Sequence, residues 1–143
     1  MGSKKVFKIG GVAMATDKKV MEKVRNRSQG ICEYCTMRAA QDPHHIKPQA
    51  RLKLDYPMGI IHVCRICHSY IEDNISTKNL LIDQLRTELN TLLEKDWYSI
   101  NDLHELLDIE ISDLEKAVYK HYVKMRFADV IEVSKESLVR WLT

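Results

Sequence analysis

The first clear pattern of apolar and polar residues along the chain is that of an amphipathic helix. Three apolar residues recur at helical spacing: Val20, Met21 and Val24. Asp17 precedes them and is a residue type that caps helix starts, and Gly30 is typical of a helix end. The pattern therefore predicts a helix over about residues 18–27, preceded by a loose arm or short hairpin over residues 1–16.

The next pattern predicts strand, strand and helix. Pro43 and Pro48 bracket residues 44–47, which favours extended backbone there. Residues 60–63 form a short run rich in β-branched residues and predict a second strand. Residues 65–73 predict a helix in which three apolar side chains share a face: Ile66, Tyr70 and Ile71.

A longer helix is predicted over residues 77–95, with Ser76 or Thr77 as its cap. Four leucines recur along it at helical spacing: Leu81, Leu85, Leu89 and Leu92. Such a stripe indicates core packing, and a partner helix in a homodimer is the alternative.

The last segment, residues 97–143, predicts a short helix, a break, a second helix capped by Ser112, a strand over residues 130–133 and a final helix capped by Ser134. Together these elements predict an α+β fold: a small core followed by a mainly α-helical C-terminal module.

Charge is unevenly distributed over the 143 residues. The net charge is +2, but residues 18–53 contain nine basic and three acidic residues, and residues 80–143 contain eight basic and thirteen acidic ones. A basic segment favours an anionic partner such as DNA. No apolar run approaches the roughly 20 residues that cross a membrane, so we expect a cytoplasmic protein without a membrane partner.

Four cysteines form two pairs, Cys32 with Cys35 and Cys64 with Cys67. Two residues between paired cysteines let both sulfurs reach one ion, so the spacing predicts a closed, structural Zn²⁺ site. Four reduced cysteines without metal are the alternative.

His44 and His45 lie between the two cysteine pairs, and His68 directly follows the second pair. His68 and Glu72 are four residues apart on the predicted helix and face the same way. With His44 they predict an open, three-ligand site for Mg²⁺ or Mn²⁺, and His45 is then free to act as a general base. Packing or surface roles are the alternative for these histidines.

The motifs Cys-Glu-Tyr-Cys, His-His-Ile-Lys-Pro and Val-Cys-Arg-Ile-Cys-His resemble those of HNH endonucleases with a four-cysteine zinc site, over about residues 20–75. The resemblance implies a ββα-metal fold that cuts DNA with Mg²⁺ or a similar cation. It also implies that His44 and His68 are metal ligands and that His45 is the general base.

Two positions depart from that family. Its central Asn, which helps hold the loop that orients the base, falls at Gly59 here. A second helix histidine is common where this chain has Glu72, and a carboxylate suits Mg²⁺ or Mn²⁺ better than an imidazole does.

The C-terminal segment resembles small helix-turn-helix domains of the excisionase type, and some phage-encoded HNH enzymes carry comparable modules. Lys116, Lys120 and Lys124 are four apart and predict one stripe that could contact phosphates. The segment is net acidic, which favours the alternative of a helical dimerisation or packing module.

Together with these patterns, the resemblance implies a metal-dependent HNH endonuclease, a phosphodiester hydrolase that nicks or cuts double-stranded DNA, and we expect it in a bacterial or phage-infected cell. Its domains are an arm (1–16), a nuclease core (17–76), a connecting helix (77–96) and a helix-turn-helix-like module (97–143).

Further residues that bind the DNA backbone are expected in the basic segment: Lys23, Arg27, Lys47, Arg51 and Lys53. A non-catalytic zinc module that binds DNA or protein, and a junction-resolving endonuclease, are the competing hypotheses.

Overall fold

The computed structural model describes residues 7–8, 12–13, 16–48, 52, 54–120, 124–127 and 129–143. The chain divides into two units, Met1–Lys78 and Asn79–Thr143. Both combine helices with antiparallel strands, so the predicted α+β class is confirmed. The finer division into four segments stays a prediction. Among the helices in the described ranges, none combines the length and apolar character that crossing a bilayer requires.

Strands β1 (Phe7–Lys8) and β2 (Val12–Ala13) pair antiparallel near the start of the first unit. Helix α1 (Lys18–Ser28) follows, and the Asp17 carboxylate accepts a hydrogen bond from the Val20 N–H at 3.1 Å.

The predicted apolar face of α1 is buried and forms one cluster with Ile60. The predicted end of this helix is wrong by one position. Gln29, with φ of 54°, is the C-cap, and Gly30 follows it with φ of 77°. Two successive residues with left-handed backbone then lead the chain into the first cysteine pair.

Strands β3 (Asp42–His45) and β4 (Ile60–Val63) form an antiparallel pair in which His44 lies opposite Ile61. Strand β4 matches the prediction. Strand β3 begins two residues before the predicted stretch 44–47 and ends at His45, because the register with β4 extends in that direction.

Helix α2 (Arg65–Glu72) starts directly after β4. Its predicted apolar face is wrong at two of three positions, since Ile66 and Tyr70 are 61% and 51% exposed whereas Ile71 is buried as predicted. The buried side of this short helix contains Cys67 together with Ile71.

Arg27 connects three parts of the first unit. Its guanidinium donates to the carbonyl oxygens of Pro57 and Ile60 at 2.9 and 2.7 Å, and forms a two-pronged ion pair with Glu33 at 2.8 and 2.7 Å. Glu33 also accepts a hydrogen bond from the His62 N–H at 2.9 Å. Burial opposes ionisation of Glu33, but these donors outweigh it and hold the pKa of Glu33 below its usual value. The contacts tie α1 and the first cysteine pair to β4.

Helix α3 (Ile75–Leu92) begins in the first unit and continues into the second. Three leucines of the predicted stripe are buried within the chain: Leu81, Leu85 and Leu89. Leu92 is 38% exposed, and the neighbouring Leu93 is buried in its place. The core-packing interpretation of the stripe is confirmed, and the homodimer stays a prediction.

The second unit continues with β5 (Trp97–Ser99), α4 (Ile100–Leu107), α5 (Ile111–Lys120), β6 (Met125–Phe127), β7 (Ile131–Ser134) and α6 (Lys135–Leu142). Its strands form an antiparallel sheet in the order β5-β7-β6. The short strands β5 and β6 were not predicted, because three residues carry too little alternation. Ser134 caps α6 as predicted. Ser112 does not cap α5, because the Glu110 carbonyl already accepts the first helical hydrogen bonds and Ser112 lies inside the helix.

Truncation of Leu103, which is 0% exposed, tests the core of the second unit. We expect Leu103→Ala to lower its free energy of unfolding by about 2–5 kcal/mol. Leu106→Ala on the same helix is the control, since Leu106 is 42% exposed and its truncation should cost about 1 kcal/mol or less. The chain's two tryptophans, Trp97 and Trp141, both lie in this unit, so their fluorescence during urea unfolding follows it. Equal losses in both variants would contradict the assigned core.

Candidate functional site

The four cysteines converge from two places in the first unit. Cys32 and Cys35 lie in the loop after α1, and Cys64 and Cys67 lie at the start of α2. Their sulfur atoms all lie within 4.8 Å of one another, and no disulfide joins them. Tetrahedral zinc with bonds of about 2.3 Å separates its sulfurs by about 3.8 Å. The cluster is therefore close enough to hold a zinc ion, as predicted.

Backbone N–H groups surround these sulfurs. The N–H groups of Cys35 and Cys67 donate to the sulfurs of Cys32 and Cys64, each at 3.4 Å. The Met37 N–H lowers the pKa of the Cys35 thiol to about 6, whereas burial raises the pKa of the Cys67 thiol to about 12. Since a metal binds the thiolate, a cation would displace the proton that burial retains on Cys67.

A second cluster joins β3 to α2. Nδ1 of His44 lies 3.1 Å from Oε1 of Glu72, and Nε2 of His68 lies 3.7 Å from the same oxygen. One donor atom from each of these residues lies within 4.8 Å of the other two. The structure thus brings together the three side chains that the sequence proposes as ligands of a catalytic metal.

The charges of this cluster suit a divalent cation. Burial lowers the pKa of His44 and so favours its neutral imidazole, and its buried Nε2 has no hydrogen-bond partner among the described residues. Burial opposes ionisation of Glu72, but the Lys78 ammonium at 3.2 Å and the two imidazoles hold the pKa of Glu72 below its usual value. His44 is 5% exposed and Glu72 48% exposed, so the cluster opens to solvent on the carboxylate side.

Asp42 supports this cluster and was not predicted. Its Oδ2 lies 3.1 Å from Nδ1 of His68. A carboxylate on the second ring nitrogen orients a metal-binding histidine and fixes which nitrogen carries the proton. Strand alternation was an available signal, because it places Asp42 on the same face as His44.

His45 lies outside both clusters. Its Nε2 is 2.9 Å from Oδ1 of Asp55, whose Oδ2 accepts a hydrogen bond from the Asp17 N–H at 2.7 Å. Adjacent strand residues project to opposite faces, which separates His45 from His44. Asp55 was also missed, and nothing in its local sequence indicates the contact.

Gly59, at the position where the resemblance places an Asn, lies in a 3₁₀ turn over Pro57–Gly59. A Cβ here would lie 2.5 Å from Cε1 of Tyr56, which is 1% exposed. The packed ring therefore leaves no room for a side chain at residue 59.

The predicted DNA-contact residues of the first unit lie in different environments. Lys23 is exposed on α1 and Lys47 is half-buried. Arg27 uses its guanidinium within the unit, as described above. Arg51 and Lys53 lie outside the described residues.

In the second unit, Lys116 and Lys120 are exposed on α5. Lys124 does not continue their stripe as predicted, because its backbone is not helical and donates to Oγ of Ser137 at 2.9 Å. Its ammonium lies 6.0 Å from the ring of Trp97.

Zinc loss tests the sulfur cluster. We expect the purified chain to contain one zinc ion, and Cys67→Ser to lose it together with the ordered structure of the first unit, because a structural metal contributes folding free energy. Elemental analysis and amide NMR spectra measure the two effects. Ser69→Ala, an exposed change on the same helix, is the control. A metal-free wild type with a folded first unit would contradict this expectation.

Comparison of the chain with protein-family models, with curated proteins and with solved structures finds no match. What the chain does must therefore be inferred from its own residues and their geometry.

Proposed function

We propose that the chain is a metal-dependent endonuclease of the HNH type, with a ββα-metal core over residues 17–76. One observation supports this above all, the division of roles between two adjacent histidines. His44 joins His68 and Glu72 in a three-donor cluster. His45 lies outside that cluster and contacts a carboxylate instead. Hydrolysis of a phosphodiester requires both a set of metal ligands and a separately held base.

The donor set favours Mg²⁺ or Mn²⁺ as the catalytic metal. His44, His68 and Glu72 would hold it, and three protein ligands leave positions for water and phosphate oxygens. When bound, the cation would supply charge relief on the leaving 3′ oxygen. Zinc in the four-cysteine cluster would have a structural role.

The protein side chains divide the remaining work. His45 takes a proton from the attacking water, which makes the water a stronger nucleophile. Asp42 keeps the ring of His68 oriented through the contact at 3.1 Å. Lys78 keeps Glu72 ionised and available as a ligand.

Double-stranded DNA is the proposed substrate. Lys23 and Lys47 would contact its phosphates in the nuclease unit. In the second unit, Lys116 and Lys120 lie one helical turn apart and are exposed, so both could reach one DNA strand. The order of elements after α3, with two helices between strands, supports the proposal of a helix-turn-helix-like module.

Cleavage of supercoiled plasmid tests the nuclease. We expect the wild type to nick or linearise plasmid with Mg²⁺ or Mn²⁺ and to leave it intact in EDTA. His45→Ala should retain zinc and DNA affinity but lose roughly 10²- to 10⁴-fold in rate, the usual contribution of a general base. His68→Ala should instead raise the Mg²⁺ concentration required.

The competing hypotheses give different results in the same assay. Plasmid that stays intact with every metal, while DNA affinity persists in EDTA, would contradict the nuclease and support a non-catalytic zinc module. A strong preference for branched over linear DNA would support the junction-resolving endonuclease.

Salt dependence tests the second unit. If Lys116 and Lys120 each neutralise a phosphate, the double change to alanine should reduce the slope of log affinity against log salt concentration by about 1.8. Lys95→Ala is the control, since its ammonium lies 4.0 Å from the Asp102 carboxylate and 5.1 Å from the Tyr98 ring. An unchanged slope in the double variant would remove α5 from the proposed DNA contact.

A further inference from the structure

We propose that Asp55 positions the base: it accepts a hydrogen bond from Nε2 of His45, so that Nδ1 is the atom that accepts the proton from water. This inference rests on the proposed nuclease function. It adds a positioning residue that lies outside every motif of the sequence.

The geometry between the two side chains determines the tautomer. Oδ1 of Asp55 lies 2.9 Å from Nε2 of His45, and the two side chains are 9% and 16% exposed. An ionised carboxylate only accepts hydrogen bonds, so the nitrogen that faces it must carry a proton. In a neutral ring the other nitrogen, Nδ1, then has the lone pair that a general base needs.

Asp55 is itself held in place. Its second oxygen accepts a hydrogen bond from the backbone N–H of Asp17 at 2.7 Å, directly before α1. The positive end of the helix dipole at α1 also favours a carboxylate there. With both oxygens engaged, the carboxylate has a fixed orientation and transmits it to the imidazole.

No side chain from the 3₁₀ turn can take over this role. A Cβ at residue 59 would overlap the Tyr56 ring, so that position contributes only backbone. Its carbonyl oxygen accepts the Ile46 N–H at 2.9 Å and holds the chain directly after His45. The backbone contact fixes where His45 lies, and Asp55 fixes how its ring is turned and protonated.

Asp42 and Asp55 have parallel but separable effects. Asp42 contacts His68, a proposed metal ligand, whereas Asp55 contacts His45, which lies outside the ligand cluster. Asp42→Asn should therefore change the metal concentration required for cleavage. Asp55→Asn should change the rate at saturating metal.

NMR of the full-length, zinc-loaded chain shows which ring nitrogen of His45 carries the proton, and it needs no assay of activity. Long-range ¹H–¹⁵N correlations at about pH 8, where unperturbed imidazoles are neutral, distinguish the two ring nitrogens. We expect the wild type to show the proton of His45 on Nε2, with assignment by His45→Gln, and Asp55→Asn to lose this single tautomer. A wild-type proton on Nδ1 would overturn the proposal.

Kinetics tests the consequence. Asp55→Asn should lower kcat by roughly 10²-fold or more and leave KM for DNA and the zinc content unchanged, because it removes only the contribution of the oriented base. Glu22→Gln, an exposed change of the same charge on α1, should leave all three unchanged. A wild-type kcat in Asp55→Asn would overturn the positioning role. A wild type that never cleaves would instead refute the nuclease, and the NMR result would still decide whether Asp55 orients His45.

Discussion

The convergence of four cysteine sulfurs is the constraint on which the first unit depends. Cys35 and Cys64 are separated by 28 residues, and the whole β3–β4 pair lies between them. Joining the ends of that segment at one cluster turns α2 back onto the strands. His68 directly follows Cys67 in the chain, so the same cluster determines where its imidazole lies relative to His44. A unit this small has a limited apolar core, and a zinc ion held by the four sulfurs would cross-link the ends of the segment and offset part of the entropy of ordering it.

Pairing each imidazole with a carboxylate gives three histidines three different environments. Glu72 contacts His44, Asp42 contacts His68, and Asp55 contacts His45. Because the carboxylates come from a helix, a strand and a loop, each ring is held from a different direction. Burial adds a further difference between the histidines. It disfavours the charged form of His44 and so keeps its imidazole available to a cation.

Local spacing made most of the site predictable from the sequence. Residues three or four apart have almost fixed geometry on a turn or helix, so the cysteine pairs and the pair of His68 and Glu72 followed from the sequence alone. Asp42 needed one further step, the two-residue period of a strand. Asp55 could not be predicted, since its contact with His45 depends on the path of the loop between β3 and β4. The helix ends predicted at Gly30 and Ser112 were wrong for another reason. Several neighbouring residues can occupy the cap position of a helix, and the backbone hydrogen bonds determine which of them does.

Ion pairs within the protein also change what the charge distribution predicts about DNA binding. The basic segment predicts an anionic partner, yet Arg27 uses its charge on Glu33 and on two carbonyl oxygens. In the acidic second unit, by contrast, Glu132 pairs with Arg126, so counting charges overstates the repulsion of a phosphate backbone. A proposed DNA surface therefore rests on the exposure of individual lysines rather than on net charge. The proposed DNA contacts are few in each unit, so we expect each unit by itself to bind DNA weakly and with a strong dependence on salt.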